Sequence, residues 1–582
     1  MYEIVVGRSD SDRKALGTQG SVFLGRHYVK MGNTTSLSSN IYLDVARTHV
    51  VLVSGKRGCF TPNTQVLTDK GYKSIKDFDK LKDSLLTFNK NTKEFSYSNA
   101  ALLKYKVHGN EELIKITLED NTYLETTEEH PLLIIENDKL KWKETKLLKE
   151  GDLLVSKKEN SEKLTYKKIK TKSKISGIDE VYDFTVPITH SFVANEIISS
   201  NSGKSYSLGV VAEEMANLPI EVKNKIAVLM IDTMGIFWTM KFPNVKDEDL
   251  LEQWNLPKKS LDIKIYTPAG HFQNYKEKGI PTDYSFTINP TELSALDWCN
   301  AFEVKITNAI GVAVESSLVE VRKNKKEYSV QDIINAVESN KKIEENVRLA
   351  TINRFINALS WGIFAEKSTS LRDIVSGGKV SVLDISAYKE WSVKTLVTGI
   401  LCKKLMEERV IARKKEEIED IKKGHSYFES NVESIGEEMP LVWILIDEAH
   451  SFLPKEGKTG ATDSLVHILR EGRQPGISLI LATQQPGEIH RDVITQTDIV
   501  ISHRLTARRD IEALNSMMQS YLPGAIEKYF NMLPKMKGSA LILDDTSERI
   551  FPLQVKPKCT WHGGESPAAV KPKGKAAKEL GL

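Results

Sequence analysis

The sequence has little net charge, few cysteines and no long apolar run, and each of these scarcities excludes a class of protein. Its 81 basic and 78 acidic side chains leave a formal charge of only +3, so a surface that attracts nucleic acid has to be local. The four cysteines, Cys59, Cys299, Cys402 and Cys559, are too scattered for a disulfide framework or a zinc site. They favour a reducing, cytoplasmic location, and without an apolar run of about 18 residues we expect no membrane span and no membrane partner.

A phosphate-binding motif occurs in two separated pieces. Residues 55–58 read Gly-Lys-Arg-Gly and residues 202–205 read Ser-Gly-Lys-Ser, which joined give G-x-x-x-x-G-K-S, a complete P-loop. The apolar run 48–55 predicts a buried parallel strand before the loop, and the apolar spacing in 205–218 predicts a helix after it. Strand, glycine-rich loop and helix are the context in which this motif holds phosphates. The joined chain therefore predicts a nucleotide site with ATP and Mg²⁺ as cofactors.

The joined loop assigns a role to most of its residues. Backbone N–H groups at the start of the helix are expected to surround the phosphates. Lys204 is expected to reach the β- and γ-phosphates, and Ser205 to be a ligand of Mg²⁺. The predicted nucleotide-binding residues are Gly55, Lys56, Arg57, Gly58, Ser202, Gly203, Lys204, Ser205 and Tyr206.

An apolar run that ends in two acids, LVWILIDEAH, supplies the second half of the predicted site. Asp447 is expected to hold Mg²⁺ through water, and Glu448 to polarise the attacking water. Gln484 ends the next apolar run, LILATQQP, and is a predicted sensor of the γ-phosphate. Arg473 and Arg504 are candidate sensors or trans-acting fingers, and the alternative for each is a surface ion pair.

The segment between the two pieces of the loop, residues 59–201, has a different residue pattern from the rest of the chain. Short alternations of apolar and polar residues, such as LIKITLED and VYDFTV, predict an all-β domain. This segment begins with Cys59 and ends with Asn201, and Ser202 follows it.

These three residue types are what a self-excising insert needs at its ends. A thiol such as that of Cys59 attacks the preceding carbonyl, and the acyl chain then passes to a hydroxyl, here that of Ser202. The side-chain amide of Asn201 can cyclise onto its own carbonyl and release the insert, without any cofactor. The alternative is a β-domain inserted in a loop, but it does not explain why these residues stand at the ends of a restored P-loop.

Three stretches of the insert resemble the sequence blocks of inteins. CFTPNTQVLT resembles the opening block, LETTEEHPLL the block with Thr-x-x-His, and VYDFTVPITHSFVANEIISSN the closing blocks. The resemblance implies the horseshoe-like, all-β Hint fold of hedgehog and intein modules. The resemblance also implies that the insert removes itself by protein splicing. Because no LAGLIDADG-type endonuclease motif is present, the insert resembles a mini-intein.

The same resemblance implies roles for individual residues. His130 would protonate the amide leaving group, and Thr127 would orient the scissile peptide. Asp183 would assist the transfer, and His190 would support the terminal cleavage. Ser200 stands where inteins usually carry histidine, so asparagine cyclisation is expected either to be slower or to depend more on His190.

The chain on both sides of the insert resembles another family. HVVLVSGKRG joined to SGKSYSLG, then GGKVSVLDIS, LVWILIDEAHSFLP and LREGRQPGISLILATQQP, resemble HerA/FtsK-type motors, most closely the archaeal HerA-like ATPases with a DUF87 core. The resemblance implies a RecA-like α/β P-loop core with a mainly parallel sheet, and a homo-hexameric ring. It also implies ATP-driven DNA translocation or helicase activity beside an end-resection nuclease. One departure is that Asp232-Thr-Met-Gly-Ile236 stands where HerA proteins often have Asp-Pro-His-Gly-Glu.

These readings divide the chain into four parts. They are a small N-terminal β element (1–45), the ATPase core (46–58 plus 202–555, with a helical insertion at about 292–370), the mini-intein (59–201) and a disordered basic tail (556–582). Two alternatives stay open at this point. One is a P-loop motor that acts on protein, or in a secretion or remodelling complex, rather than on DNA. The other is an unspliced structural fusion without ATPase activity.

Overall fold

The computed structural model describes most of the chain. The described residues are 3–31, 34–55, 59–79, 82–89, 94–98, 100–106, 113–128, 130–136, 139–157, 164–178, 180–185, 191–200, 204–425, 439–503, 505, 508–517, 529–530, 533 and 538–563. They form two compact units, which we call the host unit and the inserted unit. The host unit consists of Met1–Ser54, Lys204–His503 and Arg509–Trp561, and the inserted unit consists mainly of Gly55–Gly203.

The described chain before the insert is rich in strands. Its elements are β1 (Ile4–Val6), α1 (Asp10–Leu16), β2 (Ser21–Met31), β3 (Thr34–Asp44) and β4 (Val50–Ser54). Every residue of β4 is buried, as expected for a parallel strand that is covered on both faces. A buried ion pair between Arg8 and Asp44, 2.7 Å apart, ties the turn after β1 to the end of β3.

The inserted unit is built from β-strands with short 3₁₀ turns between some of them. They are β5 (Gln65–Thr68), β6 (Gly71–Ser74), β7 (Leu85–Asn89), β8 (Glu94–Ser98), β9 (Ala101–Lys106), β10 (Leu113–Leu118), β11 (Tyr123–Thr127), β12 (Pro131–Glu136), β13 (Lys139–Glu144), β14 (Leu153–Ser156), β15 (Thr165–Ile175), β16 (Glu180–Thr185), β17 (Ser191–Ala194) and β18 (Ile197–Ser200). Among the described residues, twelve of these strands share one sheet, and β9 pairs with β16. The core is aromatic: the Phe184 ring meets the edges of Phe78 and Phe192 at centroid distances of 4.8 and 5.1 Å.

After the insert, strands and helices alternate. The elements are α2 (Lys204–Ala216), α3 (Ile220–Lys223), β19 (Ile226–Asp232), α4 (Glu248–Gln253), β20 (Ile263–Pro268), α5 (Ala269–Glu277), β21 (Tyr284–Phe286), α6 (Ala295–Ala301), α7 (Ala309–Asn324), α8 (Val330–Ser339), α9 (Glu345–Ser360), α10 (Leu371–Ile374), β22 (Val380–Asp384), α11 (Trp391–His425), β23 (Leu441–Ile446), α12 (Thr462–Glu471), β24 (Ile477–Thr483), α13 (Arg491–Gln496), β25 (Ile499–His503), α14 (Arg508–Met517), β26 (Ser539–Asp544) and β27 (Arg549–Val555). Apolar runs give the buried strands, and apolar residues at helical spacing give the helices that cover them.

One mixed sheet organises the host unit. Over the described residues it has thirteen strands, in the order β1-β3-β2-β27-β26-β25-β4-β24-β23-β19-β22-β20-β21. Every neighbouring pair from β25 to β21 is parallel. The carboxyl ends of β25, β4, β24, β23, β19 and β22 therefore lie at one edge of the sheet, which we call the carboxyl edge. In open α/β sheets this is the edge where ligands bind.

Residues 1–45, predicted as a small N-terminal β element, contain the strands β1, β2 and β3, but these strands do not form a sheet of their own. Strand β2 pairs with β27, so β1, β2 and β3 extend the same sheet. The backbones approach so closely that a Cβ on Gly25 would lie 1.9 Å from the carbonyl oxygen of Gln554. Alternation predicts that a strand forms but not which strand it pairs with, and here the partner lies near the other end of the chain.

The stretch predicted as a helical insertion, about 292–370, contains α6, α7, α8 and α9. Capping boxes begin two of these helices. Ser294 and Asp297 cap the start of α6 by accepting each other's backbone N–H, and Ser329 and Asp332 do the same for α8.

Two expectations from composition concern membranes and thiols. Across the described residues, no helix is both long and apolar enough to cross a membrane. All four cysteines are buried. Burial raises the pKa of the thiols of Cys299, Cys402 and Cys559 to about 11, 12 and 12, so these three stay protonated and unreactive at neutral pH.

The predicted disordered tail is wrong for its first residues, 556–561, which we call the C-terminal strap. The Lys556 amine lies 2.7 Å from a carboxylate oxygen of Glu213 and 2.8 Å from one of Glu214, both on helix α2. The backbone N–H groups of Cys559 and Thr560 donate to Glu213 at 2.9 Å each. Lysine- and proline-rich composition predicts disorder only where the charges lack a buried partner, and α2 supplies one. Residues 564–582 of the predicted tail lie outside the described residues.

Glu213 and Lys556 keep each other charged inside the protein. Burial by itself would raise the pKa of Glu213 and lower that of Lys556. The opposite charge outweighs burial in both cases, so the pKa of Glu213 lies below its ordinary value and that of Lys556 above it. Removing one partner would leave the other as an uncompensated buried charge.

We therefore predict that Glu213→Ala destabilises the host unit by about 3–5 kcal/mol, the usual cost of breaking a buried ion pair from one side. The measurement is the thermal-unfolding midpoint of the full chain, which should fall. Glu214→Ala is the matched control, because it removes a carboxylate from the same amine but leaves the Glu213 pair in place. Equal shifts in the two variants would contradict a special role for Glu213.

Candidate functional site

Three neighbouring parallel strands bring the two halves of the predicted nucleotide site to the carboxyl edge. Strand β24 lies between β4 and β23, with Thr483 opposite Ser54 in one register and Leu481 opposite Ile446 in the other. Residues that follow these strands therefore meet, although they are far apart in the sequence. The end of β4 is fixed further by its other neighbour, because the Ser54 hydroxyl donates to the Ser502 hydroxyl at 3.0 Å.

Ser205 and Asp447 are in direct contact at this edge. The Ser205 hydroxyl, in the first turn of α2, donates to Asp447 Oδ2 at 2.5 Å. The other carboxylate oxygen of Asp447 accepts the backbone N–H of Glu448 at 2.8 Å, which fixes the direction of the carboxylate. A hydroxyl and a carboxylate are the oxygen ligands that Mg²⁺ takes in nucleotide sites, so this pair matches the metal that the sequence predicts.

Glu448 and Gln484 are also brought together. The Gln484 side-chain amide donates to Glu448 Oε1 at 2.8 Å, and both side chains are buried. Glu448 adopts a left-handed backbone conformation, with φ of 54° and ψ of 42°. A residue with a Cβ pays of order 1–2 kcal/mol for this conformation, which is typical of backbone held in a fixed position at a functional site.

Sequence reasoning missed two neighbours of this pair, His450 and Thr483. His450 Nδ1 lies 3.6 Å from Glu448 Oε2 and 3.2 Å from the Thr483 hydroxyl oxygen. The signal was present in both cases. His450 closes the quoted D-E-A-H run, and Thr483 immediately precedes Gln484 at the end of β24.

Two further carboxylates lie at the same edge. Asp232 at the end of β19 was named from the sequence only as the start of a changed motif, and Asp384 at the end of β22 was missed. These strands pair with Asp232 opposite Asp384. Burial, and then the nearby charge of Asp384, raises the pKa of Asp232 to about 7, and burial also raises the pKa of Asp384. The sequence signal was an acid at the end of each of two apolar runs, VLMID and VSVLD.

Other predicted residues lie elsewhere. The Arg473 guanidinium donates to the backbone oxygen of Gln496 at 2.5 Å and lies 3.8 Å from the carboxylate of Asp498, next to the amino end of β25. This is the opposite edge of the sheet from Asp447. Arg473 therefore cannot act on a nucleotide bound by its own chain, and the two remaining roles are a contact with a second chain and a surface ion pair. The Tyr206 hydroxyl accepts the backbone N–H of Lys558 at 2.7 Å, so it binds the C-terminal strap.

Several predicted residues cannot be placed. Lys56, Arg57, Gly58, His190, Asn201, Ser202, Gly203 and Arg504 lie outside the described residues, as do the side chains of Asp183, Ser200 and Lys204. Gly55 is described and buried directly after β4, and the backbone of Lys204 begins α2.

In the inserted unit, the first residue is held by the predicted Thr-x-x-His block. The backbone N–H of Cys59 donates to the Thr127 hydroxyl at 2.8 Å, and the backbone N–H of Thr127 donates to the Cys59 carbonyl at 2.9 Å. Phe60 continues this attachment by exchanging backbone hydrogen bonds of 2.7 Å with Tyr182 in β16. The amide nitrogen held by Thr127 is that of the bond between the insert and the chain before it.

His130, the second residue of that block, is completely buried beside this attachment. Its ring packs on Phe60 at a centroid distance of 4.1 Å, and its Nε2 forms a hydrogen bond with the Ser199 hydroxyl. The backbone oxygen of His130 accepts both the backbone N–H and the hydroxyl of Thr145 at 2.9 Å each. The structure thus brings Cys59, Thr127 and His130 together, and adds Ser199, which sequence reasoning missed.

Family comparisons match the two units separately. Residues 199–405 match the central domain of the helicase HerA, the DUF87 family, and residues 65–201 match the intein splicing domain. The DNA double-strand break repair helicase HerA of Pyrococcus furiosus is 30% identical over 150 residues, 25% of this chain and 27% of that protein. The probable helicase MJECL08 of Methanocaldococcus jannaschii is 23% identical over 320 residues, 53% of this chain and 56% of that protein. The chain thus spans from about a quarter to just over half of these curated relatives.

Among solved structures, the chain is similar to inteins over a quarter of its length. An intein from a hyperthermophile is 18% identical, covers 25% of this chain and 99% of its own, and gives a TM-score of 0.23. The gp41-1 intein is 28% identical, covers 25% of this chain and 98% of its own, and gives a TM-score of 0.20. The family matches therefore show a HerA central domain of the DUF87 type over residues 199–405 and an intein splicing domain over residues 65–201.

Proposed function

We propose that this chain is a precursor whose intein excises itself and ligates Gly58 to Ser202, which restores a P-loop ATPase of the HerA type with a RecA-like core. The observation that carries the proposal is the Ser205–Asp447 contact at the carboxyl edge. It joins the helix that follows the second half of the P-loop to the strand with the predicted catalytic acids. The missing part of the site is then the continuous loop that only ligation provides.

The splicing chemistry begins at the amide that Thr127 holds. The Cys59 thiol gives up its proton, its sulfur attacks the Gly58 carbonyl, and the bond from that carbonyl to the Cys59 nitrogen breaks. The nitrogen gains a proton from His130, and the proton that the thiol lost replaces it on His130. The Thr127 hydroxyl fixes the orientation of the scissile peptide by accepting its N–H at 2.8 Å. Holding the reacting groups in place supplies most of the rate enhancement that such an intramolecular step needs.

The later steps use residues at the far end of the insert. The Ser202 hydroxyl receives the acyl chain from Cys59 with loss of its proton, which leaves the thiol of Cys59 behind. Asn201 then cyclises through its side-chain amide, which breaks the peptide bond to Ser202 and frees the Ser202 amine. That amine attacks the ester and forms the ordinary peptide bond between Gly58 and Ser202. Asp183 and His190 are the proposed assistants of transfer and cyclisation.

In the ligated host, the carboxyl edge supports ATP hydrolysis. Ser205 and Asp447 would hold Mg²⁺, which when bound offsets the charge of the phosphates. Glu448 orients and polarises the attacking water, and Gln484 holds its carboxylate by a 2.8 Å hydrogen bond. Lys204 and the amides of the joined loop bind the phosphates.

DNA is the proposed substrate of the motor. Support comes from the Pyrococcus furiosus relative, which is a DNA double-strand break repair helicase, over the quarter of its length that this chain matches. We further propose a homo-hexameric ring and an end-resection nuclease as partner, on the resemblance of the sequence motifs to HerA-like ATPases. A motor that acts on protein is the competing function, and stimulation of ATP hydrolysis by DNA separates the two.

We predict that the full chain with Cys59→Ala and Asn201→Ala stays at full length after expression, because neither end of the insert can react. The wild-type chain should give two smaller products, the ligated host and the free insert, by gel and mass spectrometry. The single variant Asn201→Ala is the intermediate control, since it blocks release but leaves the first acyl shift possible. A wild-type chain that stays at full length would contradict the splicing proposal.

We also predict that the double variant hydrolyses ATP poorly compared with the ligated host, because its phosphate loop is interrupted. Within the ligated host, Glu448→Gln should lower kcat by about 10²–10⁴-fold, the usual contribution of a general base. Glu471→Gln, an exposed change on α12, is the matched control and should leave kcat unchanged. Full ATPase activity in the unspliced double variant would contradict the need for a joined loop.

A further inference from the structure

Ser199 links the two ends of the intein through His130. It lies on β18, two residues before Asn201, and is completely buried. Strand β18 pairs with β12 so that Ser199 stands opposite Leu132, two residues after His130. This pairing brings the Ser199 hydroxyl to Nε2 of His130, where the two form a hydrogen bond.

We propose that Ser199 is a positioning residue for splicing, which fixes the imidazole of His130 for the first acyl shift and couples that shift to strand β18, which precedes Asn201 in the sequence. The proposal rests on the splicing function proposed above. It assigns Ser199 no contact with the reacting atoms and no chemical step of its own.

The chemistry of the imidazole explains why a hydroxyl is suited to this place. A neutral histidine has one donor nitrogen and one acceptor nitrogen, and the partner of one nitrogen decides the state of the other. A hydroxyl can either accept from Nε2 or donate to it. Ser199 can therefore remain hydrogen-bonded to His130 both before and after His130 gives its proton to the Cys59 nitrogen.

The surroundings of His130 make this contact matter more than a surface hydrogen bond would. The ring is buried, and its face is covered by Phe60 at a centroid distance of 4.1 Å. Charge on a buried ring is costly unless a polar partner meets it, and a hydrogen bond to a charged group is stronger than one between neutral groups. Ser199 meets the ring at Nε2 on the side of β18.

The hydrogen bond between Ser199 and His130 also connects the two ends of the insert. Phe60 and Thr127 attach the first residue of the insert to β11 and β16, while β18 leads directly to Asn201. A displacement of β18 moves Ser199, and Ser199 holds the imidazole ring that gives a proton to the Cys59 nitrogen. The hydrogen bond between Ser199 and His130 therefore couples the acyl shift at Cys59 to the position of the strand that precedes Asn201.

The test uses the full chain with Asn201→Ala and Ser202→Ala, in which the first acyl shift can occur but neither transfer to position 202 nor release of the insert can. Dithiothreitol cleaves a thioester at Cys59, so the rate at which it frees residues 1–58 reports the first shift. We expect Ser199→Ala to slow this release roughly 10- to 100-fold, the effect of losing one hydrogen bond to a charged group. Ser199→Thr keeps the hydroxyl and should stay within about threefold of the parent.

A double-mutant comparison separates positioning from general damage to the fold. In chains that already carry His130→Ala, adding Ser199→Ala should have no further effect, because Ser199 acts only through the ring. Ser191→Ala is the matched control, since it removes a buried hydroxyl on the neighbouring strand β17 that bonds to the backbone of Phe88 instead. This control should release residues 1–58 at the parent rate.

Two results overturn the proposal. One is a Ser199→Ala chain that releases residues 1–58 as fast as the parent, and the other is a Ser199→Ala change that slows the His130→Ala chain by the same factor as it slows the parent. Failure of the underlying function looks different. In that case the parent chain with Asn201→Ala and Ser202→Ala itself releases no fragment with dithiothreitol, whatever residue stands at position 199.

Discussion

The hydrogen bond from Ser205 to Asp447 is the contact on which the proposed nucleotide site of the host unit depends. It fixes the first turn of α2 against the carboxyl end of β23, across the intervening strand β24. A P-loop works because a helix N-terminus and consecutive backbone N–H groups point at the same anion. Because α2 already lies at the carboxyl edge, the helix N-terminus is in place before ligation. What the proposed splicing adds is the covalent loop.

The other end of α2 is fixed by a different interaction. Glu213, near its last turn, binds the C-terminal strap through the Lys556 amine and the backbone N–H groups of Cys559 and Thr560. The strap follows β27, which pairs with β2, so α2 is tied to the antiparallel part of the sheet as well. Tertiary packing of this kind, rather than helix propensity, provides most of the stability of a helix in a folded protein. The helix α2, which we propose binds the phosphates through its N-terminus, is thus held at both ends.

Local signals predicted more of this structure than contacts between distant residues did. The apolar runs before Asp447 and Gln484 predicted buried strands, and the apolar spacing in 205–218 predicted the helix α2, which starts at Lys204. The order of strands in the sheet, the burial of Lys556 and the contact of His130 with Ser199 all depend on residues far away in the chain. No spacing rule predicts such contacts, because the local sequence of a strand or a charged side chain is the same whether or not its distant partner is present.

The departure at Asp232-Thr-Met-Gly-Ile236 shows how a changed motif can keep its backbone. Both oxygens of Asp232 are used within the turn, Oδ1 by the N–H groups of Met234 and Gly235 and Oδ2 by those of Ile236 and Phe237. The aspartate at the end of β19 therefore builds the turn by itself, and proline, histidine and glutamate are not needed for its shape. What this sequence changes is the chemistry at that point of the carboxyl edge. Instead of a histidine and a second acid on the same turn, Asp232 faces Asp384 of the neighbouring strand, and burial of the two carboxylates raises the pKa of both.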